Sequence, residues 1–304
     1  MTTSTKPLLI VILGPTGSGK TDLAVEVAAH YSTEILSTDS RQVFKGMTVG
    51  SAQPSAGQLA RVKHHFIADR TPSTGFTAGE FEKEALAVLD NVFRTHRIAV
   101  AVGGSGLYID ALCNGFDDLP EADPLIRAAM LERLNENGLE DLLEELARLD
   151  PIFYSKVDKQ NPARVMRALE VCLASGKPYS EQRTAPEKPR PFGIIKIGIS
   201  VSREELYDRI NRRVDAMMAE GLEAEARALY PFRALPALQT VGYKELFDFF
   251  DGLTSREEAV ELIKRNTRRY AKRQMTWFRR YSDIEWITEK SVAEVEKIVK
   301  KFAE

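Results

Sequence analysis

A chain of 304 residues that is 43% hydrophobic and 28% charged has the apolar content for one large α/β domain or two smaller ones. A formal net charge of −2 excludes a globally basic nucleic-acid binder, so any polyanion site has to be a local patch. Two cysteines, Cys113 and Cys172, without paired spacing, argue against a disulfide framework or zinc site and suit a reducing cytoplasm. Met1 to Pro7 is polar and the apolar run after it spans about six residues, too short for a secretory or membrane-spanning segment. A cytoplasmic protein without membrane contact is expected.

The first predicted element is a buried-type strand, Leu8–Leu13. It runs into Gly14-Pro15-Thr16-Gly17-Ser18-Gly19-Lys20-Thr21, which fits the P-loop pattern G-x-x-x-x-G-K-[ST] in the strand-loop-helix context that the motif needs. Glycines let backbone N–H groups turn inward on an anion. The helix N-terminus adds partial positive charge, Lys20 adds a full one, and the Thr21 hydroxyl can hold Mg2+. A helix with Leu23, Ala24, Val27, Ala28 and Tyr31 on one face follows. Glu34–Thr38 reads as the next strand and ends at Asp39-Ser40-Arg41-Gln42. That strand is expected next to the P-loop strand, which puts Asp39 at the crevice where open α/β sheets bind ligands. Asp and Ser are also ordinary turn residues, and position alone leaves both roles open.

Ala78–His96 is predicted helical, and Ile98–Val102 is a third strand that ends in Gly103-Gly104-Ser105-Gly106 with no acid. Nucleotide hydrolases often place an aspartate there for magnesium and water, so its absence leans away from hydrolysis. The glycine pair would allow close backbone approach to a ligand, or would simply make a tight turn. From Leu119 to Phe192, prolines including Pro120, Pro151, Pro162, Pro186 and Pro191 punctuate helical pieces with no strand pattern. A strand returns at Gly193–Ile199. The expected architecture is therefore α/β, a P-loop NTPase-like parallel sheet flanked by helices, with a helical insertion domain. The core domain would comprise residues 1–118 and 193–304, and the insertion 119–192.

Ser202-Arg203-Glu204-Glu205 is a capping box that opens a helix ending near Gly221. Arg209 and Arg212 each have an acid four residues earlier, and Arg213 has none. A long helix, Ser255–Tyr281, and a shorter one, Val292–Phe302, complete the chain. Eight cations between Lys264 and Arg280, with no acid among them, fall within half the helix circumference. Tyr270, Gln274, Trp277 and Phe278 take the other half. A solvated face usually mixes signs, so this stripe is expected to bind nucleic acid or pyrophosphate. Lys272 and Arg273 are candidates for the latter, together with Arg213. Asn161-Pro162 opens a helix with Arg164 and Arg167 on one face. His64-His65 has no third ligand in sight and is expected to be structural.

In this order, GPTGSGKT (14–21), STDSRQVFKGMTVGSAQP (37–54), HHF followed by an acid (64–69), FTAGEF (76–81), VGGSGLYI (102–109), NPARVMRALEV (161–171), VGYKE (241–245) and TRRYAKRQMTWFRR (267–280) resemble the tRNA dimethylallyltransferase family over essentially the whole chain. The resemblance implies transfer of a dimethylallyl group from dimethylallyl diphosphate to N6 of the adenosine beside the anticodon. Asp39 would be the general base, with Lys20, Thr21 and Arg213 assisting, Gly14–Thr21 holding the diphosphate and Thr21 the Mg2+. It implies tRNA contacts by Asp39, Ser40, Arg41 and Gln42, by Ser105 and Arg127, and by Ala163, Arg164, Val165, Met166 and Arg167. The stripe residues Arg269, Lys272 and Arg273 join them, and the insertion would clamp the anticodon stem-loop. Phe44 and Gln53 depart from the family's usual tyrosine and lysine. A monomer is expected. The rival readings are a nucleotide or small-metabolite kinase using the same loop for ATP, and an RNA-binding module that only binds nucleotide.

Overall fold

In the computed structural model, which describes residues 6–117, 119–120, 123–183 and 188–303, six parallel strands form one sheet in the order β3-β2-β4-β1-β5-β6. The stretch Met1 to Thr5 and Pro186 lie outside the described residues. The strands are β1 (Leu8–Leu13), β2 (Ile35–Ser37), β3 (His64–His65), β4 (Ile98–Gly103), β5 (Gly193–Ile199) and β6 (Ile284–Ile287). Leu9 to Leu13 are fully buried, which is why β1 is an unbroken apolar run rather than an alternating one: both faces of a central parallel strand are covered. Each such side chain contributes roughly 1.5–3 kcal/mol on burial. β1 pairs with β4 on one side and β5 on the other.

Two strands escape the sequence pattern. β3 is two residues long, and β6 is an edge strand whose central Glu285 and Trp286 are exposed. One expectation is corrected: β2 does not neighbour β1, because β4 lies between them. Asp39 therefore stands two strands away from the P-loop strand, beyond the end of β4.

The helices are α1 (Lys20–His30), α2 (Ala56–Arg61), α3 (Ala78–Phe93), α4 (Gly106–Asn114), α5 (Pro124–Leu149), α6 (Pro151–Tyr154), α7 (Pro162–Ser175), α8 (Tyr179–Gln182), α9 (Arg203–Ala219), α10 (Leu222–Leu229), α11 (Tyr243–Phe250), α12 (Arg256–Phe278) and α13 (Val292–Ala303). The Ser202 hydroxyl caps α9 through the Glu205 N–H at 3.2 Å. The return bond of a capping box is missing, because the Glu205 carboxylate turns to Arg209 at 2.5 Å. α12 has the full box between Ser255 and Glu258. Several motif strings meet in an aromatic cluster of Phe66, Phe76, Phe81 and Tyr108, whose phenol donates to the Phe76 carbonyl at 2.6 Å. The His65 ring sits 2.5 Å from the Glu34 carboxylate at the sheet edge, and the His64 ring bonds the Val62 carbonyl.

The chain divides into two compact units: residues 1–113 with 189–304, and residues 114–188. The second unit holds α5 to α8. Met130, Leu142, Leu143, Leu146, Val165, Met166, Ala168 and Leu169 form its core. α5 is interrupted at Gly138, whose φ of 80° suits glycine. Fully buried Asp150 accepts from the Phe153 N–H at 2.9 Å, the Ser180 N–H at 2.6 Å and the Ser180 hydroxyl at 2.7 Å, which ties α6 to α8. The ends of this unit meet each other, with the Lys188 N–H donating to the Asn114 carbonyl at 2.8 Å.

Candidate active site

β1 ends in the predicted loop. Gly17 and Gly19 have φ of 82° and 85°, a region that residues with a Cβ avoid, so the loop can curl only with glycine at both points. Gly19 is the N-cap of α1 and offers no capping side chain, which leaves the first-turn N–H groups for an anion. The Ser18 hydroxyl oxygen is buried in the loop without a partner among the described residues.

Lys20 and Thr21 line a cavity of about 210 Å³, together with Thr16, Asp39, Ser40, Arg41, Arg213, Tyr270 and Gln274. Burial pushes the Lys20 ammonium down to about 8; the Arg213 charge acts in the same direction and Asp39 opposes both. Burial likewise lowers Arg213, against the pull of Asp39. The Arg213 Nη1 reaches the Thr16 hydroxyl at 3.5 Å, a long bond. Both cations lose stability as charged groups chiefly through burial, and a bound polyanion would reverse that. Apolar wall is supplied by Ile210, Val214 and Met217 from α9, Leu222 from α10, and Ile263 from α12. Val241 and Tyr243 also line it. Tyr243 holds its place by donating to Glu225 at 2.7 Å, and Glu225 accepts the Val49 and Gly50 N–H groups at 2.8 Å each. The sequence pattern marks Ile210, Val214 and Met217 only as an inward helix face, since core and cavity wall carry the same helical period; the VGYKE string marks Val241 and Tyr243.

Asp39 lines the cavity and also makes a turn. Its Oδ1 accepts from the Arg41 N–H at 2.8 Å and the Gln42 N–H at 3.4 Å, a turn that anchors the carboxylate. Its other oxygen has no protein hydrogen bond among the described residues and remains for the cavity. The Ser40 N–H donates to the Ser105 hydroxyl at 3.1 Å. Burial first, then the Asp39 charge, pushes the Tyr270 phenol up to about 12, so it stays neutral. Gln42 lines the cavity, but its amide donates to the Ala52 carbonyl at 2.8 Å and accepts from the Ser37 hydroxyl at 3.0 Å, so that side chain braces the loop. Gln53 does the same, donating to the Gln42 and Phe44 carbonyls at 2.9 and 3.0 Å.

At Gly104 and Gly106 the protein itself fills the space a side chain would take, while Gly103 lines the cavity. A Cβ at Gly104 would lie 2.2 Å from the Gln274 Nε2, and one at Gly106 would lie 2.3 Å from the Trp277 ring. Successive turns of α12 therefore press onto this turn.

Other expected residues are placed apart from the cavity. Lys272 and Arg273 do not line it, and Arg273 lies 5.7 Å from the Tyr270 ring. In the second unit, buried Glu170 draws both Arg127 at 2.8 Å and Arg167 at 3.5 Å. Ala163 and Arg164 are exposed, whereas Val165 and Met166 are core residues whose side chains cannot reach a partner. The stripe is narrower than eight. Lys264 pairs with Asp215 at 2.8 Å, Arg268 bonds Asn211 at 2.6 Å, and Arg280 stacks on Trp277 at 3.8 Å. Arg265, Arg269, Lys272, Arg273 and Arg279 remain exposed, without an ion pair among the described residues. At 100° per residue they span an arc of about 120°, opposite Tyr270, Gln274 and Phe278. No cluster of three metal-ligating side chains occurs among the described residues.

A P-loop at the end of a parallel strand, two crowded cations and a carboxylate on one cavity, with no acid after β4, define an enzyme of the P-loop class that handles a phosphorylated substrate. Comparison with known proteins narrows the class. The IPP transferase family matches residues 42–281. The chain is 50% identical over 278 residues to the tRNA dimethylallyltransferase of Christiangramia forsetii, covering 91% of this chain and 92% of that one. The crystal structure of the full-length tRNA isopentenylpyrophosphate transferase of Bacillus halodurans superposes with a TM-score of 0.72 at 36% identity, over 98% and 97% of the two chains. A eukaryotic dimethylallyltransferase acting on tRNA gives 0.79 at 25% identity, over 98% of this chain and 77% of that one. The chain belongs to the IPP transferase family, as a prenyltransferase of the tRNA dimethylallyltransferase type.

Proposed function

We propose that the protein transfers a dimethylallyl group from dimethylallyl diphosphate to N6 of the adenosine adjacent to the anticodon, position 37, of tRNA, and releases diphosphate. The observation that carries this reading is one cavity lined by Lys20, Arg213, a half-committed Asp39 and apolar side chains. The first two suit a departing diphosphate, the last a short prenyl chain. The allylic C–O bond breaks, the N6–C bond forms, and the N6 proton passes to the free oxygen of Asp39. Negative charge grows on the leaving diphosphate, where the P-loop amides, Lys20 and Arg213 stabilise it. The adenosine has to leave the base stack to reach Asp39.

Thr21 beside Lys20 supplies one hydroxyl where substrate oxygens and water would complete a shell, a donor set that fits Mg2+. When bound, that ion neutralises diphosphate charge. We assign tRNA contacts to Ser40, Arg41 and Ser105 at the cavity, to Arg269, Lys272 and Arg273 on α12, and to Arg127, Ala163, Arg164 and Arg167. No described helix is long and apolar enough to cross a membrane, and we take the protein to act in the cytoplasm as a monomer.

The test is incubation with magnesium, labelled dimethylallyl diphosphate and an unmodified anticodon stem-loop. Label is expected to move to the RNA, and to stay off it when the target adenosine is replaced by guanosine. The kinase reading, which the family relationship does not favour, requires label from ATP and none from the diphosphate. That result would overturn the proposal.

A further inference from the structure

We propose that Gln274 is a positioning residue for the diphosphate site: its one buried amide locks the P-loop to the turn after β4 and so fixes where the loop's N–H groups point. This rests on the cavity being a diphosphate site, as proposed above.

The Gln274 Oε1 accepts from the Thr16 N–H at 2.9 Å, and its Nε2 donates to the Gly104 carbonyl at 2.8 Å. The side chain is 6% exposed, so water cannot substitute freely at either bond. Both partners are main-chain groups of fixed polarity, and only one orientation of a neutral amide satisfies the two together. The Gly104 backbone has no Cβ where the amide sits, since one would lie 2.2 Å from Nε2. Glycine at 104 and glutamine at 274 thus form one device. Thr16, whose N–H is held, is also the residue whose hydroxyl Arg213 reaches. Leucine at 274 would leave an N–H and a carbonyl unpaired. Ionised glutamate would turn a lone pair onto the Gly104 carbonyl, whereas protonated glutamate restores both bonds.

The experiment compares wild type, Gln274→Leu and Gln274→Glu as full chains. It measures binding of inorganic pyrophosphate with magnesium by calorimetry from pH 5.5 to 8.5, and the KM for dimethylallyl diphosphate against kcat. Gln274→Leu should bind pyrophosphate about tenfold or more weakly at every pH, with the loss in KM rather than kcat. Gln274→Glu should match that loss at pH 8 and regain affinity, relative to wild type, as its carboxyl protonates on the acid side. A side chain that only fills space would give a ratio to wild type that does not vary with pH. That result, or wild-type affinity in either variant, overturns the proposal. Should the leucine variant not fold, the acid-side recovery of Gln274→Glu carries the test alone. If wild type itself ignores pyrophosphate, the diphosphate reading fails and this proposal falls with it.

Discussion

Burial of Lys20, reinforced by the Arg213 charge, gives the cavity a pH signature. With its ammonium lowered to about 8, Lys20 is charged below that pH and loses its proton as the pH rises through it. A bound diphosphate favours the charged form, so binding near pH 8 must draw a proton from solution. Calorimetry in buffers of different ionisation enthalpy should detect that uptake, with affinity falling above pH 8, and Lys20→Gln should abolish both. Proton-independent binding would place the diphosphate elsewhere. Asp39 makes a complementary case. Asp39→Asn keeps the Oδ1 that holds the Arg41 N–H, so the turn survives while the base is removed. Its kcat should drop by about two to four orders of magnitude, the range for a general base, with pyrophosphate affinity retained or tightened. An unchanged kcat assigns Asp39 to the turn alone.

At the scale of elements, α12 faces two ways. Its inner face presses Gln274 and Trp277 onto Gly104 and Gly106, and a methyl group at 106 has no room beside the Trp277 ring. Gly106→Ala should therefore lower stability by about 1–3 kcal/mol, the usual cost of overpacking, measurable by urea unfolding. An unaltered midpoint would mean that the helix yields freely. Its outer face carries the narrowed cation arc. Arg269→Glu should weaken stem-loop binding and flatten its salt dependence by about one unit of slope; equal affinity at every salt concentration would return the arc to plain solvation.

These faces also mark how far the sequence was legible. The P-loop was readable because its phosphate cradle demands particular residues at particular spacings, whereas the position of Asp39 alone left a turn and a cavity role equally open. The narrowing of the arc was not, because Asp215 and Asn211, which occupy Lys264 and Arg268, lie on α9, far away in the chain. The glycines after β4 leave a ligand's approach and a tight turn equally open in sequence, since a close approach looks the same whoever makes it. Strand order was misjudged for a related reason: in a parallel sheet, crossovers separate neighbours in sequence from neighbours in space.

For the whole molecule, the sheet's core cluster contains no residue of the second unit. Replacing residues 115–187 by a short Gly/Ser linker should leave a folded sheet, with a cooperative melt and pyrophosphate binding retained. Loss of cooperative melting would show that the sheet depends on the insertion. The hydrogen bond that closes residues 114–188 at their ends bears on the order of folding. If the helical unit forms first, its closure removes most of the chain between β4 and β5, leaving α4 and a few linking residues to be closed. Once β1 and β4 are paired, loop entropy then favours adding β5 beside β1 by about 1.5 kcal/mol relative to an unfolded insertion. An insertion that spans a quarter of the chain thus costs the sheet little time in finding its central strands.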